Sequence, residues 1–307
     1  MGRIAEALRK AQQERSRRLQ EKPTGNAESA VACEDTSSRS VDRSDRLAHE
    51  RDVLGQATVL EASPRPEPFV VNSAPLLPEN IHPSVVAFHV PRSAVAEKYR
   101  LARTRLLTSN PNGSSRVFAI TSSLPKEGKT VTTANLGFSL AELRHLRVAI
   151  FDFDFRRHGL SRLCQVSQRP GVADVLRGEK KLAEVCLPVV RSNLHVIPTG
   201  DCGDTNPSEW LASDRMPALM KEIGERFHYT LIDTPPVSTC ADIGLIAPRC
   251  HSAVLVVRIG STPEPLLARC AQMLQENQVP IVGTILSGYC DETRVHDEEK
   301  DYCAATT

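Results

Sequence analysis

Blocks of consecutive apolar residues alternate along this chain with amphipathic stretches and polar turns. Residues 117–120 (VFAI) have no polar alternation, the pattern of a parallel strand buried on both faces. A turn through Leu124, Pro125, Lys126 and Glu127 leads into Gly128, Lys129 and Thr130, after which Asn135, Leu136, Phe138 and Leu140 carry a helical pattern. Residues 148–151 predict a second buried strand and 192–200 a third. Asn206 and Pro207 predict the cap and first position of a helix over 206–213. Residues 229–237 form a further strand that two prolines terminate. A strand over 252–259, a helix over 264–277 and a last strand over 279–286 complete the series. Strands alternating with helices predict an α/β fold, a doubly wound, mostly parallel sheet with its ligand at the carboxyl edge.

Outside 92–288 the pattern changes. In residues 1–22, Ile4, Ala7, Leu8 and Ala11 recur at helical spacing beside Arg9, Lys10, Arg15, Arg17, Arg18 and Lys22. This basic amphipathic helix fits either a peripheral contact with a partner helix or anionic membrane, or plain solvation. Glu6 stands where a myristoylation signal needs Ser or Thr. Residues 23–91 are rich in Ser, Glu, Asp, Arg and Pro, and predict a disordered linker with too little apolar surface to offset its conformational entropy. Residues 289–307 predict a flexible acidic tail. Composition adds exclusions: 38 Lys plus Arg against 37 Asp plus Glu leave no global field for nucleic acid. Nine cysteines without a CxxC pair or zinc spacing read as reduced thiols of a cytoplasmic protein. No apolar run approaches the ~18 residues of a membrane span.

The candidate chemistry lies at the strand ends. A loop entering a helix presents free amides and the positive end of a helix dipole to one point, which attracts phosphate. Lys126, Glu127, Gly128, Lys129, Thr130 and Val131 form that stretch. Gly128 permits close approach, Lys129 reaches the β- and γ-phosphates, and the Thr130 hydroxyl ligates Mg²⁺. Ser123 occupies the place of the pattern's first glycine. Asp152 and Asp154, at the end of the second strand, lie on one side of an extended chain and so both address one Mg²⁺-nucleotide; Arg156 adds a cation for phosphate. Asp233, ending another apolar run, is placed to hold the Mg²⁺ shell. Glu97, Arg100 and Arg103 recur at three-residue spacing on a helix, a row that fits a subunit contact or a solvated ion-paired face. Trp210 reads as a core anchor.

Taken together, SSLPKEGKT, IFDFDFR and LIDTPP in that order, with Glu97, Arg100 and Arg103 as an ExxRxxR motif, resemble the bacterial tyrosine kinases of exopolysaccharide and capsule synthesis, notably the cytoplasmic autokinases found beside exosortase-type loci. NPSEWLAS and RIAEALRKA also resemble family segments. The related septum-positioning and plasmid-partition ATPases carry a signature lysine where this chain has Leu124. The resemblance implies a P-loop fold and phosphoryl transfer from Mg-ATP to tyrosines of the C-terminal tail, here Tyr289 and Tyr302. It further implies a homo-oligomer joined through Glu97, Arg100 and Arg103, and an inner-membrane polysaccharide co-polymerase as activator. Lys129, Asp152, Asp154, Arg156 and Asp233 would carry catalysis, with Thr130, Asp152 and Asp233 around the metal. Only two tyrosines follow the last strand, so a second reading stays open: a nucleotide-switch ATPase that assembles with the co-polymerase without phosphorylating itself.

Overall fold

The computed structural model describes residues 71, 73–190, 192–203 and 205–288. The amphipathic helix at 1–22, most of the linker and the tail at 289–307 with Tyr289 and Tyr302 lie outside the described residues. In chain order the strands are β1 (Arg116–Ser122), β2 (Val148–Asp152), β3 (Leu187–Pro188), β4 (Leu194–Ile197), β5 (Tyr229–Asp233), β6 (Ser252–Arg258) and β7 (Ile281–Ser287). The helices are α1 (Val86–His89), α2 (Ala94–Thr108), α3 (Lys129–Ala141), α4 (Gly159–Leu163), α5 (Val172–Arg177), α6 (Leu182–Val185), α7 (Pro207–Leu211), α8 (Arg215–Arg226), α9 (Ile243–Ile246) and α10 (Glu264–Glu276).

The strands form one sheet in the order β3-β4-β2-β5-β1-β6-β7. All pairings are parallel except that of the two-residue β3 with β4. Strand periodicity explains the two cores. Val117 and Ala119 of β1, with Ala149 and Phe151 of β2, face a cluster that includes Trp210, Met216, Leu219 and Ile223. Phe118 and Ile120, with Val148 and Ile150, face the opposite cluster around Leu136, Phe138 and Leu140 of α3. The apolar runs of the central strands β1, β2 and β5 are unbroken because both faces of the sheet are covered there, and each large side chain so buried contributes about 1.5–3 kcal/mol.

Asn206 caps α7 by accepting from the Ser208 amide at 3.2 Å, with Pro207 following. Trp210 packs edge-on to Phe155 and beneath the Arg177 guanidinium, as a core anchor does. Helix α8 has no counterpart among the sequence-derived elements, although Met216, Leu219 and Ile223 give it a buried stripe.

One boundary needs correction. The linker was expected to run to residue 91, yet Leu76, Ile81, Val85 and Ala87 are buried. Leu76 bridges to Val189 at the sheet edge, the His82 amide donates to Leu163 O at 2.9 Å, and Phe88 meets Phe138 at 4.9 Å between ring centroids. Asn135 of α3 fastens this strap: its Oδ1 accepts from the Ala87 amide at 2.9 Å and its Nδ2 donates to Ser84 O at 3.0 Å. Four scattered apolar residues carry no helical or strand period, so their order comes from a tertiary surface on α3 and α4 that local sequence does not display.

Candidate phosphate-binding site

The site lies at the carboxyl ends of β1, β2 and β5. Strand β5 separates β1 from β2, and the register sets Asp152 beside Asp233 and Asp233 beside Ile120. The loop after β1 enters α3 through Gly128, whose φ of 93° falls in the left-handed region that glycine tolerates. Lys126 also has positive φ, 67°. The amides of Gly128, Lys129 and Thr130 make no hydrogen bond among the described residues, as expected of a helix start left free for an anion.

Lys129 is buried over this opening. Its Nζ donates to Asp154 Oδ2 at 2.7 Å and lies 3.7 Å from Asp233 Oδ1. The Thr130 hydroxyl donates to Asp233 Oδ2 at 2.7 Å, while Asp233 Oδ1 accepts no hydrogen bond. Burial pulls the Lys129 ammonium down, but the charges of Asp233, Asp154 and Asp152 outweigh it and hold its pKa above the ordinary lysine value. Full burial pushes Asp233 up to about 7 against the pull of Lys129. The two shifts are compatible: one ammonium is shared among three acids and sits nearer Asp154, so desolvation prevails at Asp233.

Asp152 and Asp154 diverge, contrary to the expectation that both address one ligand. Strand β2 ends at Asp152, and beyond it the extended alternation no longer applies. Asp152 Oδ2 accepts from the Ser161 amide at 2.8 Å and hydroxyl at 2.7 Å, and its Oδ1 from the Asp154 amide at 3.2 Å. Burial raises its pKa, with the Ser161 bonds partly offsetting. Asp154 instead holds Lys129. Arg156 turns elsewhere: its Nε donates to Cys240 Sγ at 3.2 Å and lies 3.5 Å from Asp242 Oδ2, with the side chain largely exposed. Val131 follows Thr130 in the first turn of α3. Glu127 is a buried brace, bonded to Leu124 and Thr262, rather than a group open to ligand.

Sequence reasoning missed Ser161, Thr199 and Gly159. Thr199 Oγ1 lies 3.2 Å from the Ser161 hydroxyl. A Cβ on Gly159 would come within 2.8 Å of Thr130 Oγ1, so glycine there admits the Thr130 side chain. The available signal was a Gly-Leu-Ser stretch shortly after the acidic motif, which carries no motif by itself.

The row of Glu97, Arg100 and Arg103, expected to join subunits, is engaged within the chain. Arg100 forks onto Glu142, Nε to Oε2 at 2.8 Å and Nη2 to Oε1 at 2.6 Å, and also pairs with Glu97 at 2.9 Å. Arg103 Nη1 reaches Glu142 Oε2 at 2.7 Å and Ser139 O at 2.6 Å. Burial would raise the Glu142 carboxyl, but the hydrogen bonds from Arg100 and Arg103 hold it below the usual range.

The donor set fits Mg²⁺. Asp233 Oδ1, a buried orphan oxygen next to the Thr130 hydroxyl, is a hard ligand. Among the described residues no group of three or more His, Cys, Asp or Glu is placed to cage a metal alone. One or two carboxylates plus phosphate oxygens is the usual Mg²⁺ arrangement. Among the described residues no helix is long and apolar enough to cross a membrane.

No protein-family model matches the chain. Among known proteins it is similar to tyrosine-protein kinase YwqD of Bacillus subtilis, 27% identical over 205 residues covering 67% of this chain and 86% of YwqD. It is 28% identical over 198 residues to tyrosine-protein kinase etk of Escherichia coli. The chain spans 27% of the length of etk. Of the solved structures, the kinase domain of that E. coli kinase aligns with a TM-score of 0.64 at 27% identity, covering 68% of this chain and 81% of the domain. The BceF tyrosine kinase domain aligns at 0.59 with 30% identity, covering 66% of this chain and 81% of that domain.

Proposed function

Since the chain belongs to the bacterial tyrosine kinases of the P-loop ATPase type, we propose that it is an ATP-dependent autokinase of exopolysaccharide or capsule assembly. It transfers the γ-phosphoryl group of ATP to a tyrosine of its C-terminal tail. The observation that carries this reading is the cluster of buried Lys129, Asp154 and Asp233 with half-buried Thr130, next to free amides at the start of α3. Among the chain's four tyrosines, Tyr229 is buried, its hydroxyl accepting from Asn110 at 3.0 Å, and Tyr99 packs against the α3 core. Tyr302 and Tyr289 of the tail, the acceptors that the family resemblance implies, would take the phosphoryl group.

Thr130, Asp233 and Asp152 would hold Mg²⁺, which supplies charge neutralisation between the phosphates. The chain's own residues then position and neutralise. Lys129 leaves Asp154 for the β- and γ-oxygens, and the loop amides hold the phosphates. As the tyrosine oxygen bonds to phosphorus, the bond to ADP breaks and the phenolic proton passes to a carboxylate. Asp152, whose proton affinity burial raises, is the candidate for that acceptance where it does not itself organise the metal. Arg156 would reach phosphate only after leaving Asp242. Glu97, Arg100 and Arg103 would join copies of the chain, and an inner-membrane polysaccharide co-polymerase would activate the kinase at the cytoplasmic face.

The scarcity of tail tyrosines favours one other reading, a switch ATPase that assembles with the same partner and releases phosphate to water. Incubating the full chain with Mg-ATP and a membrane partner separates the two. The kinase gains phosphotyrosine, loses most of it on Tyr302→Phe and all of it on Lys129→Met. ATP turnover without phosphotyrosine leaves the switch.

A further inference from the structure

The outer side of the phosphate loop is gripped, through the loop's own Glu127, by Thr262, Ser287 and Arg258, which belong to none of the sequence motifs. Glu127, 1% exposed, accepts from the Leu124 amide at 2.9 Å through Oε2 and from the Thr262 hydroxyl through Oε1. Thr262 is itself buried just beyond β6 and accepts from the Arg258 amide at 3.3 Å. From the end of β7, the Ser287 hydroxyl donates to the Glu127 carbonyl. From the end of β6, Arg258 Nη1 donates to the Lys126 carbonyl at 3.3 Å. Two strand ends thus hold three consecutive groups of the loop from outside.

Peptide geometry gives this grip a consequence. No described peptide is cis, and in a trans peptide the C=O and N–H point to opposite sides. The Lys126 carbonyl shares a peptide plane with the Glu127 amide, and the Glu127 carbonyl with the Gly128 amide. Drawing both carbonyls outward turns both amides inward, toward the space over which Lys129 sits. A loop with positive φ at Lys126 and Gly128 has alternative conformations to explore, and pre-set amides are what anion affinity depends on.

We propose that Glu127, Thr262, Ser287 and Arg258 form an external clamp, a set of positioning residues that aims the loop amides at phosphate and sets nucleotide affinity. The proposal rests on the nucleotide reading of the loop. Glu127 acts through the loop and contacts no ligand, and Thr262 and Ser287 lie outside the phosphate space altogether.

The test is titration of the full chain with fluorescent Mg-ADP, with thermal unfolding measured on each variant. Thr262→Val keeps the shape and removes the hydroxyl, and Kd rises about tenfold. Glu127→Ala gives a similar loss, and because both break one link, the double variant stays within about twofold of the worse single. Glu127→Gln keeps an acceptor for Leu124 and offers Thr262 a donor, so it restores Kd to within about threefold of the unaltered chain. Wild-type Kd in Thr262→Val, additive losses in the double variant, or losses that only follow the melting temperature would overturn the clamp. An unaltered chain that binds no Mg-ADP overturns the nucleotide reading itself.

Discussion

Asp233 shows how one residue's surroundings determine its chemistry. It ends β5 fully buried, one oxygen bound by Thr130 and the other without a hydrogen bond, and burial places its pKa at about 7. An unfolded aspartate titrates near ~4. Between those values the folded chain keeps a proton that the unfolded chain has released, so this group's contribution to stability falls as pH rises from about 4 to about 7. Asp152, also raised by burial, acts with the same sign. In the metal-free chain, urea midpoints should therefore fall between pH 5 and pH 8, and Asp233→Asn should flatten part of that fall; equal slopes in both proteins would contradict the assignment. The acidic residue itself was legible from an apolar run ending in Asp. Its raised pKa was not, because the shift comes first from full burial at the centre of the sheet, with the charge of Asp152, paired beside it, adding to that, and both depend on the tertiary fold.

At the scale of elements, α3 serves two tasks that its sequence displays unequally. Its first turn carries Lys129 and Thr130, and the strand-loop-helix context made that end readable. Its middle carries Asn135, which reads locally as one polar position in an apolar helix. In the fold Asn135 satisfies the Ala87 amide and Ser84 carbonyl of the strap. Asn135→Ala should strand both groups, costing about 1–3 kcal/mol, and should expose the strap around residues 76–90 to protease before the rest of the domain yields. Uniform resistance with an unchanged melting temperature would show that the strap is held by its apolar contacts alone. Residues 76–91 escaped the sequence because their few apolar positions match no period, whereas α3 and the strands announce themselves by continuous or regular burial.

For the whole molecule, Arg100 and Arg103 connect the proposed assembly to the fold. Both are held by Glu142 at the end of α3, so a subunit contact through them competes with, or builds on, an intrachain triad. Light scattering should show Arg100→Ala with Arg103→Ala shifting the chain from oligomer to monomer. Glu142→Gln weakens the triad while leaving both arginines in place, so it should retain the oligomer; monomers from Glu142→Gln would mean that the triad, not the arginines, shapes the contact. The sequence by itself determined the doubly wound sheet, the phosphate loop and the identity of the acidic residues at the strand ends, since buried parallel strands need unbroken apolar runs and a phosphate loop needs its glycine, lysine and threonine in fixed order. Which partner each of those groups meets was decided only by tertiary structure. Asp154 takes Lys129, Asp152 takes Ser161, Arg156 leaves for Asp242, and Glu127 turns outward to Thr262. Those choices depend on strand order, register and the loops beyond the strand ends, where side-chain direction no longer follows any period that the chain carries locally.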